Sequence, residues 1–276
     1  MDIKFMLRRM RLPREIYYKF QLKKQLAKIP KDLLENSFSN IEKLKGKYAG
    51  QRCFIIGNGP SLITDDLEKL KNEITFGTNR IFTIYNKTEW RPTFYAIQDD
   101  LVMGKMMSDL GETIKQSEFG FVSTNNYFLC REALNNIENV LWMPLRFCPP
   151  NKNIYRFSND IKEEVFEGLT ITYSCMQLAA YMGFSEIYIL GVDHNYPIEI
   201  DDDGNIVRND DSVKAYFGEA MVSMSDINLP KVVEMTRAYI SAEKFSRKNG
   251  FRIYNATRGG KLEAFERVNF DELFNE

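Results

Sequence analysis

The strongest chemical signal in the chain is Gly57-Asn58-Gly59-Pro60-Ser61, which directly follows the apolar run Cys53-Phe54-Ile55-Ile56. Glycines in such a turn let backbone N–H groups come close to a phosphate. An asparagine amide both donates to and accepts from a base or ribose. The arrangement recurs along the chain. Asn79-Arg80 follows the run 74–78, Gln98-Asp99-Asp100 follows 93–97, and Thr124-Asn125-Asn126 follows 120–123. Gly191-Val192-Asp193-His194 follows 186–190, and Asn255-Ala256-Thr257 follows 251–254. Taken singly, each is explained as a turn, because Gly, Asn and Asp favour turns. Six at equivalent positions point to a shared cleft that suits a nucleotide. The hydroxyls of Thr170, Thr172 and Ser174 open a helical segment, where the helix dipole helps to hold an anion.

Such tips need a frame to bring them together. The short apolar runs read as buried strands, with 139–143 as a further one. Helical segments alternate with them: one from Asp65 or Asp66, one through Cys175 to Met182 stopped by Gly183, and one over 230–248 stopped by Gly250. This alternation predicts an α/β fold with a mostly parallel sheet and helices on both faces. Ligands of such sheets gather beyond the carboxyl ends of the strands. Residues 1–47 read as a basic helical arm, divided by Pro13 and Pro30 into two short helices, ahead of a nucleotide-binding catalytic domain over 48–276. The acids in 201–205 lack the remaining spacing of a calcium loop and read as a solvated turn.

Composition narrows the classes. The 276 residues are 44% hydrophobic and 27% charged, an ordinary globular balance. No apolar run reaches the roughly 18 residues of a membrane span, and no signal-peptide core opens the chain, so the expected location is cytoplasmic. The cysteines Cys53, Cys130, Cys148 and Cys175 form no CxxC pair, and Cys53 and Cys175 read as buried thiols. His194 is the only histidine, which rules out a multi-histidine metal site. Neither G-x-G-x-x-G nor G-x-x-x-x-G-K-[ST] is present, against a dinucleotide dehydrogenase or a P-loop kinase. The net charge is −1, yet residues 1–31 carry +8 and the remainder −9. The basic arm suits an interfacial helix on the inner face of an anionic membrane, and equally a helix packed on its own domain or on a second subunit. No nucleic-acid partner is expected.

Ile55-Ile56-Gly57-Asn58-Gly59-Pro60-Ser61-Leu62 resembles the opening motif of bacterial lipooligosaccharide sialyltransferases and of the larger 6-hydroxymethylpterin pyrophosphokinase MptE-like family. The segments 78–82, 91–95, 98–100, 182–194 and 254–262 resemble the surface-polysaccharide branch of the latter, in the same order and from roughly Lys47 to the C-terminus. The resemblance implies a single Rossmann-like domain with a lid inserted at 195–229. It places Gly57, Asn58 and Gly59 against the nucleotide phosphate or ribose, Asn79 near the donor and Thr170 near a cytidine. Tyr196 and Tyr216 would close over the phosphate. With Pro60, Ser61, Arg80, Gln98, Asn125, Thr172, Ser174, Gly191 and Asn255, these form the candidate nucleotide site.

The sequence also departs from that pattern. The sialyltransferases use a lid histidine as general base, and the stretch Ala215-Tyr216-Phe217-Gly218-Glu219 has none. His194 is the first substitute, since its ordinary pKa suits proton transfer near neutrality; Asp193, Glu219 and Asp99 are carboxylate alternatives. The leading expectation is transfer of a sugar from a nucleotide donor, foremost a CMP-sugar, to a glycan or lipid-linked acceptor, without a required cofactor. The alternative is phosphoryl or pyrophosphoryl transfer of the pterin-kinase type, with Mg2+ held by carboxylates such as Asp99, Asp100 or Asp193. A non-catalytic role in polysaccharide assembly and a homo-oligomer are further expectations.

Overall fold

The computed structural model describes residues 11–147, 155–209 and 229–275; for 11–14 it describes the backbone only. Two helices open the described chain, α1 (Arg11–Leu26) and α2 (Lys31–Leu44). Pro13 does not divide the first of them. It sits in the first turn, where helical N–H groups have no intrahelical partner to lose. Pro30 does separate the two, as the residue preceding α2.

Strands and helices then alternate: β1 (Arg52–Ile56), α3 (Thr64–Lys69), β2 (Thr75–Thr78), β3 (Phe94–Ile97), α4 (Asp100–Lys105), α5 (Met107–Lys115), β4 (Phe119–Ser123), α6 (Tyr127–Cys130) and β5 (Val140–Met143). A short parallel pair follows, β6 (Leu145–Arg146) with β7 (Val165–Phe166). After it come α7 (Ile171–Met182), β8 (Glu186–Leu190), the hairpin β9 (Ile198–Ile200) and β10 (Ile206–Arg208), α8 (Val232–Lys248), β11 (Arg252–Asn255) and β12 (Glu266–Arg267). The expected runs are therefore strands to within about a residue. The sequence reading did not single out the two-residue strands and the hairpin, which are too short to show a period. Residues 201–205 are the hairpin turn, with the Asp201 carboxylate accepting from the N–H groups of Asp203 and Asn205 at 3.0 and 2.8 Å.

The central sheet has eight strands in the order β12-β11-β8-β1-β2-β3-β4-β5, and every neighbouring pair is parallel. Alternate residues of β1 feed opposite faces. Cys53 and Ile55 join a core with α2, α7 and α8, while Phe54 and Ile56 join one with α3, α4 and α5. The fold is α/β and Rossmann-like, with helices on both faces. The second half of the basic segment is part of this core, not an appendage. Ile41 and Leu44 are buried in it, and the Ser37 hydroxyl accepts from the Trp142 N–H at 2.7 Å. The thiols of Cys53, Cys130 and Cys175 are buried and free, as read for Cys53 and Cys175; Cys148 lies outside the described residues.

Parallel pairing carries one consequence for function. The carboxyl ends of β11, β8, β1, β2, β3 and β4 fall on one edge as consecutive neighbours. From β1 the chain winds outward to β2 through β5, then returns to place β8 on the other side of β1. The crevice between the tips of β1 and β8 is thus the topological switch point, where ligands of open α/β sheets bind.

Candidate nucleotide site at the strand tips

At the switch point, the loop after β1 folds onto the turn after β8. The Gly57 N–H donates to Leu190 O and the Gly59 N–H to Gly191 O, both at 2.8 Å. A Cβ on Gly57 would lie 2.3 Å from Gly191 O; one on Gly59 would lie 1.9 Å from Asp193 Oδ2 and 2.7 Å from Gly191 O. The two glycines therefore serve close packing of loop against turn. Their amides are committed to that contact and do not point at a phosphate as free donors.

Side chains then tie neighbouring tips together. Asn58 donates from Nδ2 to Thr78 O at 2.9 Å and to Thr78 Oγ1 at 3.1 Å, linking β1 to β2. Ser61 Oγ donates to Asp193 Oδ2 at 2.8 Å, linking β1 to β8. Asn126 donates to Gln98 O at 2.8 Å, and Ser174 Oγ donates to Gln98 Oε1 at 2.6 Å, so β4, β3 and α7 meet at Gln98. Thr170 caps α7, its hydroxyl accepting from the Thr172 N–H at 3.3 Å and from the Tyr239 hydroxyl at 3.4 Å.

Electrostatics single out three groups. Asp193 is half-buried, and burial raises its pKa against the lowering hydrogen bonds from Ser61. Glu167, which the sequence reading did not single out, is raised first by burial and then by the charges of Asp99 and Asp100. It stands about 70 positions from them in sequence, so no local spacing betrays it. His194 is buried, and burial alone lowers its pKa to about 4. The Thr236 hydroxyl proton goes to Val232 O at 2.9 Å, so His194 Nε2, 2.7 Å from that hydroxyl, is the protonated nitrogen. Its Nδ1 is then an acceptor, and it has no partner. The ring packs edge-on against Tyr196 and Tyr239, at 6.1 and 5.6 Å.

The buried polar atoms without a partner include several at this same edge. They are Asn79 Oδ1 after β2, Thr124 Oγ1 after β4, and His194 Nδ1 with Asn195 Oδ1 after β8. Such groups are uncommon in native interiors and ask for an explanation in function. Asn79 also has a left-handed backbone (φ 49°), as does His194 (φ 53°).

Other expected residues sit differently. Asn255 is fully buried, its amide donating to Leu262 O at 2.8 Å and its oxygen accepting from the Thr257 N–H at 3.0 Å, so it holds a turn. Ser174 is fully buried on Gln98. Asp99 caps α4 through the Val102 N–H at 2.9 Å, and Asp100 accepts from the Leu101 N–H at 3.0 Å. Asp65 and Asp66 do not cap α3, whose preceding residue is Ile63; buried Asp66 pairs with Arg258 at 2.7 Å instead. Pro60 and Asn125 are exposed at the edge, Arg80 partly so, and Gly191 forms the turn itself. Tyr216 and Glu219 lie outside the described residues. Among the described residues, no group of three or more His, Cys, Asp or Glu side chains is arranged to hold a metal ion.

The family model for 6-hydroxymethylpterin diphosphokinase MptE-like proteins matches residues 24–199, which takes in α2 and ends before the second strand of the hairpin. No match was found among curated proteins. The chain is similar to the MAf glycosyltransferase from Magnetospirillum magneticum, at 16% identity and TM-score 0.48 over 87% of this chain; it spans 39% of that protein. It is also similar to the sialyltransferase CstII from Campylobacter jejuni, solved with cytidine-5'-monophosphate, at 14% identity and TM-score 0.45 over 80% of this chain and 85% of that one.

Proposed function

The chain belongs to the 6-hydroxymethylpterin diphosphokinase MptE-like family, and from that premise we propose that it is a glycosyltransferase-like enzyme that moves a sugar from a nucleotide donor, foremost a CMP-sugar, to a surface glycan or lipid-linked acceptor. The observation that carries the reading is the row of amides, hydroxyls and unpartnered acceptors along one sheet edge, centred on the Ser61–Asp193 pair at the switch point. Amides and hydroxyls recognise base and ribose, and the capped N-terminus of α7 favours the phosphate. The motif resemblance to sialyltransferases adds the CMP-sugar.

In the proposed step, the acceptor hydroxyl oxygen bonds to the anomeric carbon while the bond from that carbon to the phosphate oxygen breaks. The nucleotide leaves with the bonding pair, and the hydroxyl proton passes to a carboxylate. Asp193 is our choice of base, because partial burial raises its proton affinity towards neutrality. His194 suits that role less. Its low pKa keeps it neutral, and its unpartnered Nδ1 can accept a hydrogen bond from substrate. The pyrophosphokinase reading draws on the family's own description, and among the described residues no group of three carboxylates is arranged to hold the magnesium it would need.

Thermal shift with CMP, CDP, UDP, GDP and ATP, each with and without magnesium, separates the two. CMP at ~100 times its Kd should stabilise by ~2.7 kcal/mol, roughly 5 °C or more in Tm, without metal. A response to ATP only with magnesium favours the pyrophosphokinase, and silence to every nucleotide sinks both. Asp193→Asn should keep the CMP shift and lower kcat ~100-fold or more.

A further inference from the structure

The helix α1 has two faces of different character. Its inner face packs on its own domain. The Tyr18 ring stands edge-on to Phe147 at 5.2 Å, Leu22 is buried, and Glu15 pairs with Arg156 at 2.8 Å. At about 100° per residue, positions 16, 19, 20, 23 and 24 fall on the opposite side, and they hold Ile16, Lys19, Phe20, Lys23 and Lys24. Ile16 is 64% exposed and Phe20 53%, with the Lys24 ammonium 5.0 Å above the Phe20 ring. No acid lies on that stripe.

Other apolar side chains are exposed on the segments around the helix. Of ten large apolar side chains left exposed among the described residues, five are Ile16, Phe20, Phe128, Leu129 and Phe147. The last three lie on or beside segments that α1 touches: the turn 124–126 leading into α6, and the end of β6. Arg131 covers Phe128 at 5.5 Å and is answered by Glu132 at 3.9 Å, so α6 adds apolar surface and little net charge. The turn 124–126 follows the carboxyl end of β4, which puts this surface beside the candidate site. Among the described residues, no helix is long and apolar enough to cross a membrane.

We propose that the outward face of α1, together with Phe128 and Leu129, docks on the surface of an anionic lipid bilayer and holds the strand-tip cleft close to it. Charge complementarity selects this occupant. Three exposed lysines without an acid on the stripe draw an anionic surface at about 1 kcal/mol each. Rings flanked by cations enter the headgroup boundary while the charged heads stay at the phosphates. Residues 32–276, at −9 in sum, are repelled by the same surface, so the attraction fixes one orientation. The proposal does not depend on which donor the cleft accepts.

Flotation of the full chain tests it, with vesicles of mixed phosphatidylglycerol and phosphatidylcholine against phosphatidylcholine alone. The wild type should float with the anionic vesicles only, and less so in high salt. Phe20→Glu should lower the partition ~10-fold or more, and the double change Lys23→Glu with Lys24→Glu about as much. Both variants should keep the wild-type melting temperature and nucleotide response, because these side chains are exposed. A wild type that stays unbound, that binds neutral vesicles equally, or that is matched by both variants overturns the proposal. So does a dimer that Phe20→Glu dissociates without any flotation, which would give this face to a second copy of the chain.

Discussion

The tips of β1 and β11 carry the same side chain in opposite roles. Asn58 follows β1 at the mouth of the crevice, partly exposed, with its amide lent to the tip of β2. Asn255 ends β11 with no exposed surface, and both ends of its amide are spent on residues 257 and 262. Sequence shows an asparagine after an apolar run in each case. Position in the sheet makes the difference: the crevice opens between β1 and β8, whereas β11 lies beyond β8 and the chain after it turns back over its tip. Whether a polar strand tip is spent within the fold or left for a ligand is thus decided by what the following chain packs against, not by the residue itself.

The largest effect that tests this contrast comes from packing at the crevice. Gly57→Ala drives a methyl into the backbone carbonyl of Gly191, which cannot rotate away, and should cost about 3 kcal/mol together with the nucleotide response. Gly104→Ala, a helical position with open space around it, should stabilise by up to about 1 kcal/mol. Equal melting temperatures for the two proteins would show that the loop is not wedged against the turn.

Next comes the imidazole beside the crevice. An unfolded histidine takes up a proton near pH 6.5, whereas the buried His194 resists until about pH 4. The unfolded state thus binds more protons inside that window, and stability falls as pH drops from 6.5 to 4, by about 3 kcal/mol at the lower end. Above pH 6.5 the effect vanishes. His194→Asn, which tolerates the left-handed backbone, should flatten this part of the curve in denaturant titrations at stepped pH. An unchanged slope would place the ring in water.

The smallest effects make the sharpest comparison. Asn255→Ala strands a buried carbonyl and a buried N–H, and should cost about 2 kcal/mol with the CMP affinity of the surviving fold intact. Asn58→Ala should cost about 1 kcal/mol, since Asn58 is itself partly exposed and water can take the place of its amide, and weaken CMP ~10-fold. Calorimetric binding beside chemical denaturation reads both quantities. Reversed outcomes would put the site at β11.

Much of this was legible in the residues alone. Short apolar runs alternating with helical segments specify parallel strands, because a crossover helix is what such a strand order requires. The polar tips followed directly, since six of the seven runs lead into Gly, Asn, Gln or Thr. Less was legible at the arm. Its charge hid the burial of Ile41 and Leu44, and Pro13 looked like a break because its place in a first turn depends on where the helix starts. Glu167 was invisible for a plainer reason, as a carboxylate is recognised by its neighbours and those are distant in sequence.

The glycine loop shows how the labour divides. Its composition determined that the chain turns sharply after β1 with its backbone exposed to close approach. It could not say what approaches, and the tertiary structure supplies the turn at Gly191–Asp193, which takes up the very amides a phosphate would have used. Hydrogen-bond capacity belongs to the residue, but its use belongs to whatever strand lies alongside. That neighbour is set by the order in which eight strands assemble, and no local spacing encodes it.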